Sequence, residues 1–388
     1  MQFVKASDLK VGMRLARPIY NKNGVLLYER NSKLTSQGIN SIANFGLIGI
    51  FILEPAEPVP PMTKDDIEFE RFQTMTVFAL EDEMNQIFKN GKSPKTQIIV
   101  GNIIKNYGHM NHKINLIQSL RSKEDYVYKH TLNVAIMCAL MTHSLNMKVE
   151  DQLEIMIASL AHDIGKLSVP KEILDMEMLD DAANNKMRAA ELNGYETIDH
   201  VFSSYPGVKR ISVQAMKLQL QAEKDEVDEQ QVKVVRGARI LAIANVYDEM
   251  TAMKFGAEPK SEVAAIRYLL NHNHIFGESE VKSLIDSINI LAPGTSVELN
   301  SGEKGLVINS NEQNILRPMI LTFNKNSIVD LSNESVYGDL EIADIMKTLD
   351  NRYVMNTSLL KQSGIQVEEP EYVEVPEDDD VVETPIII

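Results

Sequence analysis

The chain has 388 residues, enough for two or three domains, and 44% of them are apolar, enough for sizeable cores. No apolar run approaches the roughly 18 residues of a membrane span, "MQFVKASDLK" at the N-terminus has no signal pattern, and a single cysteine, Cys138, excludes an internal disulfide framework and fits a reducing cytoplasm. The net charge of −16 is concentrated in residues 366–388, where nine acidic residues and no basic one leave −7 for the other 365, so the body carries no broad nucleic-acid footprint.

Residues 1–54 read as a small β-rich module. "MRLARPIY", "GVLLYE" and "LIGIFIL" are short apolar segments, "NKNG" before Val25 is a hairpin signal, and one short helix is expected between Thr35 and Gly46. "EPAEPVPPM" (54–62) marks a stiff Pro-rich linker, placed at 55–63. From 64 to about 290 apolar residues recur at three-to-four spacing, as in helices. The spacing predicts helices over "DDIEFERFQTMTVFALEDEMNQIFKNG", stopping at Gly91, from Thr96 through "NLIQSLR" at 121, over "EDYVYKHTLNVAIMCALMTHSL", and over "VEDQLEIMIASLAHDIG" to Gly165. Further ones are expected at 178–200, 208–224, 236–255 and 261–272. After "LAPGT" the period returns toward two, and 291–330 reads as three short strands. Residues 331–365 are expected to be partly helical, and 366–388 is an acidic, Pro-punctuated, disordered tail.

The chemistry concentrates in "ASLAHDIGKLSVP". His162 and Asp163 close a helix, and two such side chains can reach one cation; imidazole with carboxylate suits iron or manganese. Gly165 stops the helix and permits close backbone approach. Lys166 stands beside the pair, where its point charge would hold a phosphate oxygen. His130, on the preceding helix, is the third candidate ligand, because helices joined by a short connection pack side by side. His109 with His112, and His272 with His274, have no convergent carboxylate and read as polar surface or caps.

"DYVYKHTLNVA", "LAHDIGKLSVPKEIL" and "ARILAIANVYDEMTA", in that order and spacing, resemble the HD-GYP family, bacterial HD-superfamily phosphohydrolases that hydrolyse cyclic di-GMP. The likeness covers roughly 120–325 and includes "APGTSVELNSGEKGLVI"; "LKVGMRLARPIYNKNGVLL" looks like the small module that often precedes that domain. The implied fold is mainly α: a helical HD-type domain, its core at about 120–290, between small β-rich units at the N- and C-termini. The resemblance implies metal ligands at His130, His162 and Asp163, with Asp163 and Lys166 in catalytic roles.

Several family positions differ. The later His falls on Ala190, four residues before Gly194; the His-His-Glu stretch falls on Met216-Lys217-Leu218 and Lys224-Asp225-Glu226; the late metal Asp is Asn245. "SSYPG" reads as an ordinary turn. Asp248 and His200 are the candidate substitute ligands. The expectation is a degenerate, inactive or weakly active member of that family. It holds at most one divalent metal, iron or manganese, weakly or not at all, and it acts by binding a cyclic dinucleotide or through protein contacts of its β-units or acidic tail. It has no nucleic-acid or membrane partner and forms a homodimer in a bacterial cytoplasm. The alternative is an active phosphodiesterase with a reduced metal site.

Overall fold

The computed structural model describes residues 2–44, 47, 49–54, 59–119, 121–122, 125–174, 180–225, 233–253, 259–346 and 371–375. The chain folds as two units, Met1–Met75 with Ile290–Ile388, and Thr76–Asn289.

In the first unit, strands β1 (Gln2–Lys5), β2 (Arg14–Leu15), β3 (Ile19–Tyr20) and β4 (Leu26–Tyr28) precede helix α1 (Ser36–Asn44) and strand β5 (Gly49–Leu53). β5 lies between β1 and β2, antiparallel to both, and β3 pairs with β4. The β3–β4 turn is built by Asn21, whose side-chain oxygen accepts from the amides of Asn23 and Val25, and by Gly24 at φ +73°. Leu15, Leu34, Ile42 and Ile52 fill the small core.

Helix α2 (Lys64–Asn90) starts at a reciprocal cap: the Thr63 amide donates to Asp66 and the Asp66 amide to the Thr63 hydroxyl. α2 begins in the first unit and ends in the second. There follow α3 (Thr96–Tyr107), α4 (Tyr126–Ser144), α5 (Val149–Ala161), a 3-10 turn at Ile164–Ser168, α6 (Lys171–Leu174), α7 (Asp181–Val201), α8 (Pro206–Lys224), α9 (Arg236–Thr251), α10 (Glu262–Asn271), α11 (Asn273–Phe276) and α12 (Glu278–Ile285). The unbroken buried run Thr131–Thr142 makes α4 the central helix, packed on α3, α5, α9 and α12. No helix among the described residues is long and apolar enough to cross a membrane.

Two differences from the sequence-based expectation matter. α3 stops at Tyr107 rather than near 121, and the chain beyond it crosses to α9: Ile114 pairs with Ile288, and the Arg121 amide donates to the Met253 carbonyl at 2.9 Å. A helix through 121 would take Arg121 away from its buried partner on α9, described below. "SSYPG" opens a helix: Pro206 is the first residue of α8, and Glu154 accepts from the Gly207 amide at 3.1 Å.

The C-terminal sheet has five antiparallel strands in the order β10-β6-β7-β8-β9: β6 (Ser296–Leu299), β7 (Lys304–Asn309), β8 (Met319–Thr322), β9 (Ile328–Asp330) and β10 (Ile342–Ile345). Among the described residues of 331–365 the helix is one turn, α13 (Glu334–Tyr337), and β9 and β10 supply two edge strands beyond the three that periodicity predicts. Residues 371–375 of the acidic segment are described and hydrogen-bonded, in place of the disorder expected across 366–388; the rest of that segment and 347–365 lie outside the described residues.

Candidate metal centre and pocket

His130 comes from the middle of α4, His162 and Asp163 from the end of α5, and Asn245 from α9. Candidate donor atoms of His130, His162 and Asp163 lie within 4.8 Å of one another, the one such group among the described residues. The Asn245 Oδ1 lies 2.6 Å from the His130 Nε2 and 3.1 Å from the His162 Nε2; the two Nε2 atoms are 3.4 Å apart.

Both imidazoles are oriented from behind. The His130 Nδ1 is 2.6 Å from an Asp248 carboxylate oxygen, which only accepts, so Nδ1 carries the hydrogen. The His162 Nδ1 donates to the Ser159 carbonyl at 2.9 Å. Each ring therefore turns its Nε2 toward the other and toward Asn245. Two imidazole nitrogens, an amide oxygen and the Asp163 carboxylate form a donor set that fits one divalent cation.

Asp248 is accordingly not the substitute ligand that its spacing suggests. It takes two bonds from the Arg121 guanidinium, one of them 2.7 Å, and one from the Asn133 amide at 3.0 Å, and it holds His130 from the side away from the other donors. Arg121 and Asp248 side chains are both fully buried. Burial pushes the Asp248 carboxyl up, but Arg121 and then His130 outweigh it and hold it far below the usual range. The Tyr126 ring stacks on His130 with centroids 5.5 Å apart. His200, the other candidate substitute, is exposed on α7 and does not line the pocket.

In front of the donors opens a cavity of about 370 Å³. Lys166 stands in its wall, 2.7 Å from Asp163 Oδ2 as an ion pair and 3.7 Å from Glu249. Burial alone would lower the Lys166 ammonium and raise Asp163; their mutual attraction wins in both, so Lys166 is held above and Asp163 well below its ordinary range. Arg188, Met216 and Glu191, whose carboxyl is pushed up by burial, add to the charged and apolar lining.

Ala190 does not line this cavity. Its side chain is buried with Val169, Ile173 and Ala183, and the pocket-facing residues of α7 are Met187, Arg188, Glu191 and Tyr195. Met216 does line it, while Glu226 lies outside the described residues. Gly165 and Gly194 let the 3-10 turn and α7 touch: a Cβ on Gly165 would stand 2.2 Å from the Ala190 carbonyl oxygen, and one on Gly194 2.7 Å from the Gly165 nitrogen. Sequence reasoning misses Arg121, Asn133, Glu191 and Glu249. Periodicity places Arg121 at the end of a helix, and Glu249 carries no signal beyond adjacency to Asp248.

Residues 127–250, which carry the buried His130, the His162-Asp163 pair at the end of α5 and Asn245 on α9, match the HD domain family. Over 225 residues the chain is 24% identical to a cyclic di-GMP phosphodiesterase of Pseudomonas aeruginosa, a stretch covering 55% of this chain and 52% of that protein. The chain thus spans about half the length of the curated relative it matches.

Proposed function

We propose that the helical unit is a degenerate HD-GYP-like signalling module. It holds one divalent cation and binds a cyclic dinucleotide, or a related phosphate ligand, without turning it over at ordinary enzymatic rates. The observation that carries this reading is the donor set: His130, His162, Asp163 and Asn245 suffice for one ion, and no second group of this kind stands among the described residues. A bound divalent cation would polarise a phosphoryl oxygen. Lys166 and Arg188 would face the phosphates, and the Met187, Met216 and Leu241 side chains would meet the less polar part of the ligand. At later positions of the resembled family stand Ala190, Met216 and Lys217, none of which brings an imidazole or a carboxylate. The same reading includes a bacterial cytoplasmic setting, homodimerisation, and protein contacts through the terminal β-units or the acidic segment.

The test uses the full chain reconstituted with manganese and offered cyclic di-GMP. A rise in melting temperature without linearised product is expected, because a ligand that binds the native state stabilises it. Linearisation at ordinary enzymatic rates would overturn the reading. A second reading, an active single-metal phosphodiesterase, is supported by the intact His130, His162 and Asp163 group with Lys166 beside it. It requires turnover that His162→Ala abolishes together with bound metal.

A further inference from the structure

Residues 371–375, "EYVEV", combine Tyr372, Val373 and Val375, residue types favoured in strands, with two glutamates, between Pro370 and Pro376. That is a strand pattern bounded at both ends by residues without an amide hydrogen. In the first unit this segment lies antiparallel to the end of the Pro-rich linker, with Tyr372 opposite Thr63 and the Val373 amide donating to the Met62 carbonyl at 2.8 Å. Arg30 joins the two strands. One arm of its guanidinium donates to the Pro60 carbonyl at 3.0 Å; the other donates to the Val373 carbonyl and lies 3.4 Å from that of Glu374. Arg30 is 3% exposed and Met62 equally buried, so the pairing covers a charged donor and a main-chain acceptor that would otherwise face a void or water. Tyr372 and Val373 are half-buried, whereas Glu371, Glu374 and Val375 are exposed.

We propose that the main-chain edge at residues 60–63, together with Arg30, is a strand-addition site for an extended peptide, filled in cis by this chain's own residues 371–375. Recognition rests on main-chain hydrogen bonds and on the guanidinium's reach to successive carbonyls; the glutamates face solvent and add solubility rather than affinity. So short a contact is weak between separate molecules. Covalent connection supplies the effective concentration that keeps it closed, and also lets it open when a competing strand is present. Thr63 caps α2, so occupancy of the site is registered at the root of that helix.

The experiment uses the full chain. Val373→Pro removes the donating amide and frees the edge without touching the receptor residues. A labelled peptide of residues 369–377 is then titrated into wild-type and V373P protein and followed by fluorescence anisotropy. Binding to V373P is expected to be roughly tenfold or more tighter than to wild type, where the tethered segment competes. The same peptide carrying proline at 373 should not bind, and adding Arg30→Gln to V373P should abolish binding. In parallel, hydrogen exchange of the Val373 amide should be slow in wild type and fast in R30Q. Equal peptide binding by wild type and V373P, or no saturable binding by V373P, would overturn the proposal. So would a Val373 amide that exchanges at the free-peptide rate in the wild-type chain. If R30Q lowers the melting temperature, the V373P comparison and wild-type exchange still decide.

Discussion

At the scale of single residues, Asp248 shows how a position can matter to a metal site without being in it. Its carboxylate fixes the His130 tautomer, and Arg121 keeps that carboxylate ionised inside the protein. Asp248→Asn is expected to weaken manganese binding about 10–100-fold, as losses behind a ligand do. It is also expected to cost about 3–5 kcal/mol in chemical denaturation, because it strands the buried Arg121 charge. Unchanged metal affinity in a folded D248N protein would show that His130 is not a ligand. Asn245 makes the complementary case. Asn245→Asp replaces a neutral oxygen by a charged one at a position 2.6 Å from the His130 Nε2, and isothermal titration should show tighter manganese binding. The His130, His162 and Asp163 side chains are legible in the sequence because "HDIGK" and "YKHT" fix type and spacing. The Arg121 partnership is not, since it joins residues 127 apart through a segment whose composition reads as helix.

At the scale of elements, the site depends on two packing contacts that pattern alone does not reveal. The 3-10 turn at Ile164–Ser168 presses on α7 through Gly165 and Gly194. Both neighbours of a new Cβ at 165 are main chain, so relaxation is limited. Gly165→Ala should lose about 1–3 kcal/mol, the range for overpacking, and should lose metal with it, because Asp163 immediately precedes the turn and Lys166 lies within it. Elsewhere Glu280, at the start of α12, binds Arg236 at the start of α9 at 2.7 Å. Burial raises the Glu280 carboxyl, but hydrogen bonds from Arg236 and Ser279 hold it below its ordinary 4.5. Stability from this depressed carboxyl is present above pH 4.5 and is lost as the pH falls through the lower folded value. Glu280→Gln should therefore cost about 1 kcal/mol at pH 7, a modest figure because Arg236 is half-exposed, and the gap in melting temperature should close as the pH falls from 4.5 through the depressed folded value. A gap that persists there would mean that packing, not ionisation, is what the substitution disturbs. Helix positions follow from periodicity in this unit, whereas the end of α3, the β10 edge strand and the paired segment at 371–375 depend on partners distant in sequence.

At the scale of the whole molecule, the HD likeness covers residues 127–250 of the helical unit, and the first unit holds the two β-rich parts. The acidic C-terminal segment, which composition marks as unable to build a core, contributes a short bridged piece, residues 371–375, where strand-favouring side chains stand between two prolines. The fold class is legible because the period of the apolar residues changes twice, near 64 and near 291. The candidate metal site is legible only in part: sequence singles out His130, His162 and Asp163, while the packing of α9 brings the Asn245 Oδ1 beside both imidazoles. The most direct measurement is metal content per chain, by elemental analysis of full-length protein reconstituted with manganese and freed of excess ion, beside His162→Ala. One ion per wild-type chain, and none in the folded variant, is the predicted result. Two ions per wild-type chain, or one that survives in H162A, would contradict it.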